Sequence, residues 1–390
     1  MVLVWILTLL TVVAAIAYTI RVCLFQRHCE VLHPDLLAPQ EMPLISVVVP
    51  ARNEETNIER CVRSVLAQSY RNLELIVIDD QSTDATPEIL ARLAAEDTRV
   101  RVVQKGPLLP GWTGKNHAVA CGAESAQGEW IVFIDADISL HRGALSATYT
   151  VAKHKKVSLL TLWAKQRLES FWERVAQPVI IGMSLPIDPM QHVNCPKHPD
   201  VAYANGQFLM VLRSVYERLG GHTAIRDQVL EDQLLSLRFK QANEPILMMD
   251  GSRVLETRMY SSLEQLWEGW SKNNFLALRR NLWLLVGSLV SVYFVAISPF
   301  VMVLFGLLAS IELQNALYIP LMLNVIAAGM MVWMRWQTRY LFDTPAWYLL
   351  THALGGVIFM GIMLNSAYRH LTKRGVTWKG RCYGEADARL

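Results

Sequence analysis

The 390-residue chain has no pair of cysteines in CxxC spacing. Its six cysteines (Cys23, Cys29, Cys61, Cys121, Cys195, Cys382) lie scattered along the sequence. That pattern argues against a zinc site or a disulfide framework, and reduced thiols in a cytosol-facing protein are expected. Charge is sparse: 18% of residues are charged, and the net charge is +3. With no basic stripe and no aromatic–basic interleaving, no nucleic-acid partner is expected. A P-loop is missing, because Gly111-Trp-Thr-Gly114-Lys115 is too short for one. No basic residues precede the first apolar run, which argues against a cleaved signal peptide.

What the chain has in excess is apolar sequence. Hydrophobic residues make up 52% of it, and the mean hydropathy is +0.24. Residues 2–20 carry no charge and are about long enough to cross a bilayer. Arg21 and Arg27 follow, so the positive-inside bias puts the N-terminus outside and the next segment in the cytoplasm. Three more apolar blocks lie near 282–310, 315–334 and 345–368. The expected organisation is an anchor at 1–24, a polar domain at 44–280, apolar helices at 281–370 and a basic tail at 371–390. One tension remains. Arg279 and Arg280 favour the cytoplasm, and three further crossings would carry the basic tail outside, against the charge rule. Either one block lies in the interface or re-enters, or the long block around Pro299 is a hairpin. A cytoplasmic tail is the expectation.

The polar domain alternates strand and helix patterns. Ile45–Val49 is mostly β-branched, as in a strand buried on both faces. Asn53-Glu54-Glu55 opens an amphipathic helix with Ile58, Val62, Val65 and Leu66 on one face. Leu73–Ile78, an acidic turn and a helix from about Thr86 repeat the pattern; "VRVVQK" and "EWIVFID" supply a third and a fourth strand. This is an α/β domain with a mostly parallel sheet, and ligands of such sheets sit beyond the carboxyl ends of the strands.

The polar clusters fall at those ends: Asn53 and Glu54, then Asp79 and Asp80, then Asp135 and Asp137. Carboxylates gathered on one rim suit a sugar nucleotide. Side chains two apart on a strand share a face, so Asp135 and Asp137 would repel without a positive charge between them. A hard divalent cation, Mg²⁺ or Mn²⁺, fits that place and would bridge to a diphosphate. Lys115, in a glycine-containing loop, is a candidate phosphate contact, with a solvated loop lysine as the alternative. Gly206, in "YANGQF", would allow close backbone approach to a sugar. Arg381, in "WKGRCY", is a diphosphate candidate or a juxtamembrane lipid contact.

In this order and spacing, "VVVPARNEE", "IVIDDQSTD", "IVFIDAD" and "LEDQLLSLRFK" resemble family 2 glycosyltransferases of the GT-A, Rossmann-like fold. "GWTGKNHAV", "FWERVAQPVI", "YANGQFLMVLRSVYERLGGH", "LWEGWSKN" and "RGVTWKGRCY" resemble the membrane-bound branch linked to hopanoid and carotenoid pathways. The resemblance implies nucleotide contacts at Ala51, Asn53 and Glu54, and a base or ribose contact at Asp80. It also implies metal binding at Asp137 with Asp135 beside it, and a general base at Asp232. The implied reaction is inverting transfer from a nucleotide sugar, with UDP-glucose as the family-level donor.

The sequence departs from processive relatives at one place. "EQLWEGWSKNNF" holds Trp267 and Trp270, but no arginine precedes Trp270, which favours a single transfer over polymer extension. Trp270 is a candidate acceptor platform, and Trp267 an interface anchor. Residues 167–187 are apolar enough to lie in the headgroup plane, with an ordinary core helix broken by Pro178 as the alternative. The acceptor expected is a hydroxyl on a membrane lipid, a carotenoid or other polyprenoid, with a glycerolipid or ceramide-type acceptor second. A non-catalytic membrane scaffold is the reading from another class. The residues leave the oligomeric state open.

Overall fold

The structure, a computed structural model, describes residues 1–35, 42–185, 190–313, 317–372, 376–378 and 381–383, the last two segments as backbone. It divides into two compact units. A helical unit comprises Met1–Arg27, Arg167–Ile187 and Tyr260–Trp378; an α/β unit comprises His28–Gln166, Asp188–Met259 and Lys379–Leu390. Residues 167–187 and 260–280, placed in the polar domain by the sequence boundaries, thus group with the apolar helices.

The chain opens on α1 (Val2–His28). The α/β unit then alternates β1 (Ile45–Ala51), α2 (Ile58–Leu66), β2 (Leu73–Asp79), α3 (Thr86–Glu96), β3 (Val100–Gln104), α4 (Gly114–Ser125) and β4 (Trp130–Ile134). After β5 (Ile138–Leu140), α5 (Ala144–Lys155), β6 (Leu159–Trp163) and β7 (Lys165–Gln166), the chain leaves for α6 (Phe171–Met183). It returns through α7 (Met190–Val193), β8 (Phe208–Leu212), α8 (Arg213–Arg218), α9 (Glu231–Gln241), β9 (Ile246–Asp250) and β10 (Leu255–Thr257). The helical unit is completed by α10 (Leu263–Ala277), α11 (Leu282–Val292), α12 (Ser298–Leu313), α13 (Tyr318–Gln337) and α14 (His352–Leu371).

Seven strands form the main sheet in the order β3-β2-β1-β4-β8-β6-β9. All neighbours run parallel except β8, which is antiparallel to both β4 and β6. Val47, Val49, Leu75, Val77 and Val132 are fully buried in one core with Ile58, Val62 and Val65 of α2. Burying each such side chain stabilises the fold by roughly 1.5–3 kcal/mol. Chain order reverses between β1 and β4, so a crevice opens beyond their carboxyl ends. The antiparallel β8 matters for that crevice. Its register pairs Phe208 with Ile134, so the segment entering β8 arrives beside the end of β4.

Among the described residues of the helical unit, four helices are long and apolar enough to cross a membrane: Val2–His28, Leu282–Ala309, Tyr318–Gln337 and Ala346–Leu371. Polar contacts join three of them. Thr11 and Ser298 hydroxyls lie 2.5 Å apart, and Asn324 Nδ2 donates to Thr8 Oγ1 at 2.9 Å. Ala15, Val295, Ala327 and Met331 share a small core. Pro299 does not make a hairpin. A wider π-helical turn, Tyr293–Ile297, joins α11 to α12 and absorbs the ring and the missing N–H of Pro299. Pro178 is likewise accommodated inside α6. It leaves the Arg174 carbonyl without its helical donor, and Arg335 of α13 donates to that carbonyl from Nη2 at 2.6 Å.

Candidate active site

Two neighbouring groups of side chains occupy the carboxyl edge of the sheet. The first is built by the loops after β1 and β2. Ala51 ends β1, and its carbonyl accepts from Asp80 N at 2.8 Å. Asn53 takes a left-handed φ of 50°, which Asn tolerates better than most residues. Its Oδ1 accepts from Thr83 N at 2.9 Å, and its own N–H donates to Ser82 Oγ at 3.0 Å. Glu54 N donates to Thr86 Oγ1 at 2.8 Å, and Glu54 Oε2 accepts from Asn57 Nδ2 at 3.1 Å. Glu55 N donates to Asp84 Oδ2 at 3.1 Å, and Glu55 Oε2 accepts from Ala85 N at 3.0 Å. These bonds zip the two loops together. Asp84 is therefore more than a solvated turn residue: burial alone would raise its carboxyl, but the bonds it accepts hold it low.

Asp80 lies under this double loop, 5% exposed. Its Oδ1 is 2.5 Å from Lys105 Nζ, whose side chain is fully buried at the end of β3. The sequence reading missed Lys105. A salt bridge between residues 25 apart on different strands leaves no local pattern.

The second group lies between the ends of β4, α4, α9 and the approach to β8. Lys115, in the first turn of α4, contacts Asp135 Oδ1 and Glu231 Oε1, both at 2.8 Å. Thr113 caps α4 by accepting from Asn116 N at 3.3 Å. Asn116 Nδ2 donates to the carbonyls of Ile225 and Gln228 at 2.8 and 2.9 Å. Those bonds tie the start of α4 to the loop that leads into α9, and so fix Lys115 against Glu231. Asp232 Oδ2 accepts from Gly206 N at 2.7 Å, and its Oδ1 accepts from Gln233 N at 2.8 Å. Gly206 has no room to spare. A Cβ there would lie 3.2 Å from Asp232 Oδ2, 3.3 Å from Lys115 Nζ and 3.5 Å from Glu231 Oε1. Asp137 is placed by Arg60, whose Nη2 donates to its carbonyl at 3.2 Å.

The two adjacent carboxylates differ sharply. Burial and the neighbouring Glu231 push the Asp232 carboxyl up to about 7, with Lys115 opposing. Burial would also raise Glu231, but its direct contact with Lys115 holds it below the usual range. Burial works against the Lys115 ammonium too, yet Asp135 and Glu231 keep it firmly charged. One carboxylate is thus committed to an ion pair, and its neighbour is poised to exchange a proton near neutral pH.

An aromatic pair stands beside the group. Trp163, at the end of β6, stacks on Tyr203 with ring centroids 6.1 Å apart. Two residues from each ring along the chain, Asn205 N donates to Thr161 Oγ1 at 3.0 Å. From α9, Lys240 shares its protons among the carbonyls of His192, Val193, Cys195 and Val201 at 2.8–2.9 Å. The segment carrying Tyr203 and Gly206 is therefore stapled to α9 at two places, by Lys240 and by Asp232. His222 is buried against Tyr216, whose hydroxyl lies 2.8 Å from its Nδ1, and burial pushes its imidazole down to about 4.

Asp135 and Asp137 lie in the turn after β4 and not on the strand itself, so strand alternation does not align them; both offer hard oxygen donors, but among the described residues no group of three His, Cys, Asp or Glu side chains gathers as a closed metal cage. Such a half-set fits Mg²⁺ or Mn²⁺, which commonly take one or two carboxylates and complete their shell with substrate phosphate. Trp270 belongs to the helical unit, on α10. Its Nε1 is buried there with no hydrogen-bond partner among the described residues. Arg381 lies on a short strand, Arg381–Tyr383, and its side chain is outside the described residues.

Comparison with known proteins resolves what this arrangement belongs to. Residues 46–220 match the family model of glycosyl transferase family 2. This segment is a family 2 glycosyltransferase domain. The domain has the GT-A fold, and its match runs from β1 to the turn after α8, taking in the double loop, Lys115, Asp135, Asp137 and Gly206. Among curated relatives, the 4,4'-diaponeurosporenoate glycosyltransferase of Staphylococcus haemolyticus is 27% identical over 59% of this chain and 60% of that protein. The protein of the same name from Staphylococcus aureus is 25% identical across 97% of this chain and 98% of its own length. Matches to two further bacterial glycosyltransferases span only 37% and 33% of those proteins. Among solved structures, a mannosyltransferase from Pyrobaculum calidifontis, in complex with GDP-Man and Mn²⁺, superposes with a TM-score of 0.52. It is 17% identical, over 94% of this chain and 99% of that one, so the likeness is one of fold.

Proposed function

We propose that the protein is an inverting glycosyltransferase that moves one sugar from a nucleotide sugar to a hydroxyl of a membrane lipid, with a carotenoid or other polyprenoid as acceptor class and UDP-glucose as donor. The observation that carries the reading is Asp232. It is a carboxylate raised to about 7, held by Gly206 N–H, next to a lysine already bound to the first aspartate of the DxD pair. The names borne by the Staphylococcus relatives support the acceptor class.

In this reading the acceptor hydroxyl attacks the anomeric carbon from the Asp232 side. Its proton passes to Asp232 as the new C–O bond forms. The bond to the nucleoside diphosphate breaks on the opposite face, and the diphosphate leaves with the electron pair. Lys115 places a cation beside the developing negative charge, and the loops around Asn53, Glu54 and Asp80 hold base and ribose. Asp135 and Asp137 would hold a divalent cation, which when bound supplies further charge neutralisation for the leaving diphosphate. The Trp163–Tyr203 pair gives an apolar or sugar-like group a flat surface to rest on. Trp270 and Arg381 stay candidates for acceptor and diphosphate contact.

The charge rule puts the α/β unit on the cytoplasmic side of the cytoplasmic membrane, where nucleotide sugars are made. The test is turnover of a panel of nucleotide sugars by purified protein with Mn²⁺ or Mg²⁺, with and without polyprenoid acceptors. Donor cleavage that disappears in Asp232→Asn is expected. No cleavage and no nucleotide binding across the panel would sink the reading in favour of a non-catalytic scaffold.

A further inference from the structure

We infer that α14 does not cross the membrane, so that the described chain spans the bilayer three times and Thr372 lies on the face where α1 ends. The inference concerns the helical unit alone and is independent of the proposed chemistry.

Chain connectivity defines the landmarks. If α1, the α11–α12 run and α13 each cross once, three points share one face: the end of α1, the start of α11 and the end of α13. Between α1 and α11 the described residues contain no other helix long and apolar enough to cross. Now consider α6. Near its start, the Arg174 carbonyl binds Arg335, two residues before α13 ends. At its other end, the Gly182 and Met183 carbonyls accept from Arg21 Nη2 at 3.2 and 3.1 Å, close to the end of α1. Both ends of α6 therefore sit at the same face, and the helix runs parallel to the surface. Glu173, Arg174 and Gln177 suit that depth and would be costly in hydrocarbon.

α14 is clamped at both ends in the same way. At its beginning, a Cβ on Gly355 would lie 2.5 Å from the Val175 carbonyl of α6. Near its end, Ser366 Oγ donates to the Ser271 carbonyl of α10 at 2.5 Å and accepts from Phe275 N at 3.0 Å. With its amide oxygen turned toward α10, Asn365 accepts from Trp267 Nε1 at 3.1 Å and Ser271 Oγ at 2.9 Å. Only four residues separate α10 from α11, so this contact too lies at the shared face. A crossing helix of 20 residues would carry its ends about 30 Å apart onto opposite faces. The contacts with α6 and α10 instead keep both ends of α14 on one face, while Gly356 against Ala296 and Ile297, and His352 beside Phe300, set its first turns obliquely against the α11–α12 run.

The exposed side chains agree. Leu354, Val357, Leu364, Tyr368 and Leu371 form one stripe along α14, as in a helix that dips a single face into the acyl layer. Arg369 then falls on the same face as Arg21, Arg279 and Arg339, where anionic headgroups attract it. The tension in the charge rule disappears.

The test uses full-length, otherwise cysteine-free protein in cells, with one cysteine at a time and a membrane-impermeant maleimide. Tyr318→Cys marks the far face and should label in intact cells. Ser261→Cys marks the near face and should label only after permeabilisation. Thr372→Cys is expected to behave like Ser261→Cys. Labelling of Thr372→Cys in intact cells, alongside Tyr318→Cys, would overturn the inference. If position 372 labels in neither state, protease access to a C-terminal tag on the wild-type chain decides. Digestion in inverted vesicles supports three crossings, and protection there refutes them.

Discussion

Replacing Gly206 by alanine should separate stability from activity. Gly206 does not have a left-handed φ, so alanine can adopt its backbone. The substitution narrows the unfolded ensemble, worth about 0.4–1 kcal/mol in favour of the fold. Against that, the new methyl would lie 3.2 Å from Asp232 Oδ2 and 3.3 Å from Lys115 Nζ, so both polar groups must give by a few tenths of an ångström. The two effects nearly cancel, and the midpoint of thermal unfolding should move by no more than about 4 °C. Activity should respond differently. The methyl fills the gap between general base and lysine, and displacements of this kind cost up to about 100-fold when they reach 1 Å. We expect kcat/KM for donor turnover to fall about 10- to 100-fold, or roughly 1.4–2.7 kcal/mol of barrier. Turnover and thermal unfolding measured on the same preparations test this. Wild-type turnover in a folded Gly206→Ala protein would refute the reasoning, as would a melting point that falls in step with activity.

Other expectations follow from the same geometry. Asp232→Asn should lower kcat by about 100- to 10,000-fold while nucleotide affinity, read by calorimetry, stays within a few-fold. The pH profile should show an acidic limb near 7: the base must be unprotonated, so the rate climbs as pH rises through the raised Asp232 value. Glu231→Gln removes the neighbouring negative charge and should move that limb to lower pH; a limb that stays in place would mean that Asp232 is not the titrating group. Lys240→Met leaves the carbonyls of four residues without their charged donor and should cost about 3 kcal/mol in denaturant unfolding, without changing the position of the pH limb.

The sequence makes some of this architecture legible and hides the rest for physical reasons. β1 to β4 stand out because β-branched runs such as Ile45–Val49 alternate with amphipathic helices. The antiparallel insertion of β8 is invisible, since periodicity says nothing about which strand lies beside which. Hydropathy finds four long apolar helices but measures length and composition only, so it cannot tell a crossing from a helix held between α6 and α10. The same blindness set the domain boundaries, because a continuous stretch of 44–280 cannot show that α6 and α10 turn away to join other helices. In the site, short motifs point to Asp135, Asp232 and Gly206; the structure ties Asp135 through Lys115 to Glu231, and Asp232 directly to Gly206 N–H. They do not point to Lys105 and Glu231, because the importance of those two rests on a partner far away in the chain.

The bond from Arg335 to the Arg174 carbonyl also sets a timetable for biogenesis. Ribosomes deliver residue 174 long before residue 335, so α6 leaves the ribosome with a proline-made gap that nothing yet synthesised can close. The surface helix reaches its finished form only when α13 has entered the bilayer and presented its guanidinium. A nascent chain stopped short of residue 335 should therefore hold α6 loosely, and membrane insertion of the C-terminal half becomes a condition for shaping a helix encoded near the middle of the gene.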